Sequence, residues 1–221
     1  MIVLAIDTAG TGCFAAVYDS TIDKVLASAG ADIGRGHAEQ LLAFIDQALA
    51  ESAKALSDID RIAVTIGPGS FTGIRVGVAA ARGFALALGL PSVGVSILAA
   101  LAKAAGEKHP GRPVLAAMDA KRDELYCQIF EATGVPRTEA QIVELGDARL
   151  MFADFDGVIC GSATRHLTDA PLPDAAEIDV ADIGTVARLG LVADPSLGKP
   201  SPLYLRGPDV RPQSGFAVAR A

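Results

Sequence analysis

The sequence is poor in the residues that most often mark a catalytic, metal or disulfide site. It has no tryptophan, three histidines and three cysteines in 221 residues, and aromatic residues make up 5% of it. Cys13, Cys127 and Cys160 are far apart and include no CxxC pair, so they indicate neither a zinc knuckle nor a disulfide framework. We interpret them as reduced, mostly buried thiols.

Basic residues are also in the minority. There are 26 acidic and 19 basic residues, for a formal net charge of −7. A protein that binds nucleic acid on its own needs clustered Lys and Arg, so the charge balance argues against that class, whereas it does not exclude indirect contact with RNA inside a larger complex.

Membrane and export signals are lacking as well. The N-terminal apolar run has no preceding basic region and is cut short by Asp7, and the later apolar stretch 73–98 is interrupted by Arg75, Arg82 and Pro91. We therefore expect neither a signal peptide nor a membrane span, and we expect a cytoplasmic protein.

Apolar residues are plentiful, at 51% of the chain, which is enough for a sizeable core. Their spacing predicts three antiparallel strands followed by helix, strand, helix and strand, which is typical of an α/β fold with a mixed sheet. A polar Gly/Pro-rich stretch follows at 106–113. After it the pattern restarts with a strand ending at Asp119, as the first strand ends at Asp7, and this is typical of two related halves.

This pattern predicts two subdomains. We place the first at 1–105, with the helices that would bind a partner, and the second at 106–221, ending in a loop-rich tail.

The most informative segment is 65–77, TIGPGSFTGIRVG. An apolar strand meets a glycine turn, and Ser70 then caps a long helix that reaches about Leu88. Along this helix small residues recur every four positions and so share one face. They are Gly73, Gly77, Ala81 and Ala85. Because an interior glycine costs about 1 kcal/mol against alanine, this small-residue ridge favours close approach of another element. Packing within the chain and contact with a partner both remain open, and we favour the partner.

Catalytic signatures are missing from the same segment. The glycine turn lacks the lysine of a Walker loop, and the strand before Ser96 lacks the acid of a dinucleotide site. Ser70 lies one position early for a nucleophile elbow, and His37 has Gln40 and Leu41 where a helical metal pair needs a second ligand. We expect no catalytic residue, no metal and no cofactor.

A weak phosphate-binding candidate remains at the first turn. It comprises Asp7, Thr8, Gly10 and Thr11. We favour turn capping for Asp7 and likewise for Asp119, because nothing else in the sequence converges on either carboxylate.

Four segments carry a resemblance to a known family. They are 4–9 (LAIDTA), 36–42 (GHAEQLL), 66–77 (IGPGSFTGIRVG) and 202–206 (PLYLR). Together they resemble the TsaB family of bacterial tRNA threonylcarbamoyladenosine biosynthesis proteins. The third segment is long and specific, and the likeness is densest before residue 100.

The resemblance implies an actin/hexokinase/Hsp70-like fold of two similar subdomains. It also implies a non-catalytic paralogue of TsaD, the subunit that transfers the threonylcarbamoyl group to adenosine-37 of tRNA. The metal-binding HxxxH motif of TsaD is absent here, since His37 is followed at i+4 by Leu41.

The family further implies docking on TsaD through the first two helices, followed by recruitment of the ATPase TsaE. The residues expected at the interface are His37, Leu41, Ile45, Gly69, Ser70, Phe71, Thr72, Gly73, Ile74, Arg75, Gly77, Val78, Ala81 and Ala85. A homodimer in isolation is left open. The substitution Gly77→Leu would test this interface, because loss of complex and activity is expected from it. The alternative function is a nucleotide-binding ATPase or phosphotransferase of the same fold, and a metalloprotease is a distant third.

Overall fold

Two mixed β-sheets with the same strand plan form the protein, and the computed structural model describes residues 1–168 and 181–207. The strands are β1 (Ile2–Asp7), β2 (Gly12–Asp19), β3 (Lys24–Asp32), β4 (Arg61–Gly67), β5 (Ser92–Ser96), β6 (Val114–Lys121), β7 (Glu124–Phe130), β8 (Gln141–Glu144) and β9 (Val158–Cys160). The helices are α1 (His37–Glu51), α2 (Phe71–Leu88), α3 (Ile97–Lys108), α4 (Leu145–Met151), α5 (Thr164–Leu167) and α6 (Ile183–Val192), with 3₁₀ turns at Leu56–Asp58 and Pro195–Leu197.

The two sheets repeat one topology. The first has the order β3-β2-β1-β4-β5, with β1 antiparallel to β2 and parallel to β4. The second has the order β8-β7-β6-β9, with β6 antiparallel to β7 and parallel to β9. The predicted restart at Val114 is thus confirmed, as is the actin-like arrangement of two similar halves.

The first sheet is covered on both faces, which explains why β1 is a continuous apolar run. Helices α1 and α2 lie side by side on one face, and α6 lies on the other. Val3, Leu4, Ala5 and Ile6 are fully buried as a result. The main core is built around this sheet and continues past α3 to one face of the second sheet, and a smaller second cluster surrounds Leu115 and Leu125.

The placement of α6 differs from the predicted division at residue 105. Although it follows the second sheet in sequence, α6 packs on β1 and β4. Gly190 lies directly against Ala63, and Arg61 Nη1 is hydrogen-bonded to the carbonyls of Gly190, Leu191 and Ala193 at 3.1, 2.6 and 3.0 Å. The chain thus returns to the first half, because an apolar helix face has to be buried against the uncovered side of the first sheet.

Smaller differences concern element ends. Helix α3 extends into the predicted boundary stretch at 106–113 and ends at Lys108. Strand β8 and helix α4 form where the sequence had given no clear signal. Part of the predicted loop-rich tail, residues 208–221, lies outside the described residues.

The segment Pro202–Arg206, which we call the C-terminal strap, connects the two halves. The Leu203 N–H donates to the carbonyl of Ile66 at the end of β4, at 2.8 Å. The Arg206 guanidinium pairs with the Glu124 carboxylate at the start of β7. The strap therefore fixes the side chain between these anchors, Tyr204, relative to both sheets.

A candidate docking surface on helix α2

The turn after β1 is closed by the chain itself. Asp7 is buried and accepts hydrogen bonds from the Ala9 N–H at 3.0 Å and the Thr65 hydroxyl at 2.6 Å. Burial raises the pKa of this carboxyl, and these two hydrogen bonds and the nearby His37 offset only part of the rise. Asp7 therefore caps its turn, as predicted, from a buried position.

Helix α2 begins directly on top of this turn. The Ser70 N–H donates to the carbonyl of Ala9 at 2.6 Å, and the Thr8 hydroxyl donates to the carbonyl of Gly73 at 2.7 Å. The Ser70 hydroxyl accepts from the Gly73 N–H at 3.2 Å, which confirms Ser70 as the helix N-cap. The Thr8 hydroxyl and the Ser70 N–H, two donors that a phosphate could use, are thus engaged in holding α2.

The glycines of α2 allow this close contact. A Cβ atom on Gly73 would lie 2.0 Å from the carbonyl oxygen of Thr8, and one on Gly77 would lie 2.4 Å from the Thr8 hydroxyl oxygen. Ala81 is fully buried farther along the same face. This corrects our preference for a partner at the small-residue ridge, because the ridge packs against β1 and β4 of its own chain.

The other predicted interface residues divide into two groups. The buried ones are His37, Leu41, Ile45, Ile74 and Val78, whereas Ala85 is half-buried. The exposed ones are Gly69, Ser70, Phe71, Thr72 and Arg75. His37 contacts the carbonyl of Gly10 through Nε2 at 3.2 Å, and Thr11 is exposed at the tip of the turn. Only the exposed group is available to a second molecule.

The opposite side of α2 is exposed and largely apolar, and we call it the docking face. Its members are Phe71, Thr72, Arg75, Ala79, Arg82, Gly83, Leu86 and Ala87. Leu86 is 81% exposed, and a Cβ on Gly83 would meet no atom within 4 Å. Ala79, Gly83 and Ala87 form a second small-residue row at a spacing of four, which the sequence analysis missed because it followed the row that begins at Gly73.

An apolar helix that is mostly uncovered needs an explanation. Only five of the 18 residues of α2 are buried. Among the described residues, α2 is the one helix long and apolar enough to cross a membrane on length and composition alone. Such a helix is weak evidence of a span, since core helices pass the same test. Because α2 carries two arginines and packs on its own sheet, its apolar outer face is a candidate for contact with another protein.

The start of the docking face carries a stacked cluster. The Arg75 guanidinium lies 3.7 Å above the centre of the Phe71 ring and 5.6 Å from that of Tyr204. Its Nε donates to the Tyr204 hydroxyl at 2.7 Å, and the two ring centres are 5.2 Å apart. Beside this cluster a groove of about 450 Å³ runs between the halves, lined by Ile74, Tyr126 and the strap.

The second half keeps its equivalent turn open. Asp119 is hydrogen-bonded to the backbone and ammonium group of Lys121, at 2.7 and 3.0 Å, and lies 3.4 Å from an Arg165 amino group. Burial raises the pKa of Asp119, but the hydrogen bonds and charge of Lys121 outweigh it and lower the pKa overall. A polar pocket of about 240 Å³ adjoins this turn.

In the described part of the chain, the cysteines and the possible metal ligands do not add a second candidate site. The three cysteines are reduced and buried, as predicted, and burial raises the pKa of Cys13 and Cys127 to about 11. Within 1–168 and 181–207, no three His, Cys, Asp or Glu residues come together as a metal site.

Comparison with known proteins places this geometry in a family. The family model for TsaD, tRNA N6-adenosine threonylcarbamoyltransferase, matches residues 29–154. The chain is 31% identical over 211 residues to the tRNA threonylcarbamoyladenosine biosynthesis protein TsaB of Escherichia coli K12, covering 95% of this chain and 80% of that protein.

The chain belongs to the TsaB family. It is also 40% identical over 126 residues to TsaB of Haemophilus influenzae, covering 56% of this chain and 51% of that one. The solved structure of YeaZ from Pseudomonas aeruginosa superposes with a TM-score of 0.75 at 26% identity, covering 92% of this chain and 99% of that one. The match to the TsaD family model shows that residues 29–154 of this chain are also similar in sequence to TsaD proteins.

Within this TsaB-family chain, two contributions to the docking surface escaped the sequence reading. One is the small-residue row on the outer face of α2, which could have been found by testing all four helical rows. The other is Tyr204, whose position beside α2 depends on a contact across 129 residues.

Proposed function

We propose that this protein is a non-catalytic subunit of the machinery that makes threonylcarbamoyladenosine at position 37 of tRNA, and that it docks on TsaD through α1 and the docking face of α2. The observation that carries the proposal is the exposed apolar face of α2, with Leu86 and the row Ala79, Gly83 and Ala87. Small residues permit close helix approach, and the apolar surface around them would contribute about 25 cal/mol per Å² buried.

Helix α1 extends this surface. It packs beside α2 and exposes Leu42, which is 56% accessible. Two adjacent helices with apolar side chains turned to solvent match the paired-helix contact expected from the family resemblance. We infer that a helical bundle forms between the two subunits.

The lack of catalysis is inferred from the state of the first turn. Its Thr8 hydroxyl is engaged by Gly73, and its Asp7 is buried with two hydrogen bonds. Leu41, where TsaD has the second histidine of its metal motif, is buried in the core. Recruitment of TsaE and a cytoplasmic location rest on the resemblance and the composition, and contact with tRNA is proposed only through the assembled complex.

The experiment is reconstituted tRNA threonylcarbamoylation, with TsaD, TsaE and the adenylate-forming enzyme present, with and without this protein. We expect modification only when the protein is added and no turnover by the protein alone. Modification that is unchanged when it is omitted would refute the proposal.

A pair of variants locates the surface. Gly83→Leu adds a side chain into open space on the docking face, so we expect normal folding, binding to TsaD weakened at least about 10-fold, and reduced modification. Gly146→Leu makes the same change at an equally open glycine on α4 of the second half and should leave both unchanged. If the two variants bind TsaD equally well, the docking face is not the surface that contacts TsaD, and that part of the proposal is wrong. The substitution Gly77→Leu is unsuitable, because it would disrupt the packing on Thr8.

The docking face is also exposed to a second copy of the chain. We therefore include self-association in the absence of TsaD in the proposal. Sedimentation at rising concentration should detect it, and Gly83→Leu should abolish it. Nucleotide binding is the alternative function. Calorimetry with ATP and Mg²⁺ decides it, and we expect no heat because the Thr8 hydroxyl and the Ala9 N–H of this turn already have partners within the chain.

A further inference from the structure

The Arg75 side chain is held in place before any partner arrives. Its guanidinium stacks on the Phe71 ring, and its Nε is fixed by the Tyr204 hydroxyl. Tyr204 is fixed in turn by the C-terminal strap, whose Leu203 bonds to β4 and whose Arg206 pairs with Glu124. Arginine loses less conformational entropy on binding when its planar group is already oriented.

The outer edge of this guanidinium is available. Arg75 is exposed, and among the described residues no hydrogen bond is found to its two terminal amino groups. Phe71 and Tyr204 are each 45% exposed, so all three side chains border solvent. Two parallel N–H donors on a planar group match the two oxygens of a carboxylate.

We propose that Arg75 binds a carboxylate of TsaD in a bidentate pair, and that Tyr204 of the strap belongs to the docking surface. This inference rests on the proposed function. Aromatic residues and arginine are the residue types that most often dominate binding energy at interfaces. Helix α2 carries Arg75 and Arg82 and no acidic residue, in a chain with a net charge of −7, so its face is complementary to an acidic partner surface.

A carboxylate fits this site better than an RNA phosphate does. Nucleic-acid surfaces need several cations in a row, whereas α2 presents two arginines in an apolar setting with Leu86 and Ala79 between and beside them. The stacked rings and the groove next to them provide the apolar border that favours a fully desolvated ion pair at a protein interface.

The test is the affinity of the full-length protein for purified TsaD, measured by calorimetry at about 50 and 300 mM salt. We expect Arg75→Ala to weaken binding about 30-fold, Arg75→Lys about 10-fold because the fork is lost, and Tyr204→Ala about 10-fold. Tyr204→Phe keeps the ring and loses the bond to Nε, and we expect about a 3-fold loss. Arg112→Ala removes an exposed arginine of the second half and should bind as the wild type does.

The outcomes separate the two proposals. If the wild-type protein does not bind TsaD at all, the proposed function fails, and this inference fails with it. If the wild type binds and both Arg75→Lys and Tyr204→Ala bind equally well, the inference alone is overturned. If Arg75→Ala leaves TsaD affinity intact but weakens retention of tRNA on a filter by the assembled complex, the site binds phosphate and the carboxylate assignment is wrong.

Discussion

The two halves of the molecule share a strand plan, but the carboxylate at the end of the central strand has different surroundings in each half. In the first half Asp7 is buried under α2, and the turn after it is closed. In the second half Asp119 faces a polar pocket and pairs with Lys121 and Arg165. The same topology therefore gives one sealed turn and one open turn.

The difference comes from the helix that follows the parallel strand. In the first half this is α2, 18 residues long, which has glycine at both positions that meet Thr8. In the second half it is α5, with four residues and no glycine. A long helix that can approach closely covers its turn and still exposes a second face, which is why our proposal places docking on the first half.

The largest effect is expected where α2 meets the turn. Gly73→Ala would place a Cβ 2.0 Å from a backbone oxygen that cannot move without shifting β1 or α2, so we expect the free energy of unfolding to fall by about 3 kcal/mol or more. Urea denaturation measures this. In the same helix, Gly83→Ala meets open space and should raise stability by about 0.5 to 1 kcal/mol. Similar effects of the two changes would mean that the ridge does not face the sheet.

The next effect concerns the return of α6 to the first half. Arg61→Ala removes the guanidinium that donates to three carbonyl oxygens at the end of α6. Losing a hydrogen bond to a charged group lowers the free energy of unfolding by about 1.5 to 3 kcal/mol. We expect a loss of about 2 kcal/mol by urea denaturation, together with faster amide exchange in α6. Arg188→Ala, which breaks a surface pair with Asp182, is the control and should cost less than about 1 kcal/mol. If Arg61→Ala costs no more stability than the control, the hydrogen bonds of Arg61 do not hold α6 on the first half.

A smaller effect is expected from the link between the halves. The pair of Arg206 with Glu124 is partly shielded from solvent, so a double-mutant cycle with alanine should give a coupling of about 1 kcal/mol. The exposed pair of Arg112 with Asp156 lies within the second half and should show no measurable coupling. Zero coupling at Arg206 would leave the strap held by Leu203 and Tyr204 alone.

The finest distinction is the sign of a pH dependence. Because burial raises the pKa of Asp7 in the folded state above 3.8, its contribution to stability is present below that pH and is lost as pH rises through the folded pKa. The pKa of Asp119 is lowered, so its contribution is present above pH 3.8 and is lost as pH falls through the folded pKa.

Substitution by asparagine should separate these two cases. In unfolding curves recorded from about pH 2 to 8, Asp7→Asn should remove a loss of stability that develops as pH rises, and Asp119→Asn should remove one that develops as pH falls. Changes of the same sign for both variants would contradict the different surroundings of the two carboxylates.

Most of the local structure could be predicted from the sequence. Ser70 as N-cap, the helix up to Leu88 and the repeat of the strand pattern at Val114 depend on neighbouring residues and on periodicity, which are visible in one dimension. The family was recognisable too, because 66–77 combines a strand, a glycine turn and a capped helix in one continuous segment.

The direction of each helix face was decided only by tertiary structure. Two small-residue rows run along α2, and the sequence does not say which one meets the sheet; Thr8, 65 residues away from Gly73, decides it. The return of α6 and the stacking of Tyr204 on Arg75 likewise depend on partners more than 100 residues distant. Periodicity determines that a face exists, whereas long-range packing determines what it touches, because burial depends on every element that competes for the same surface.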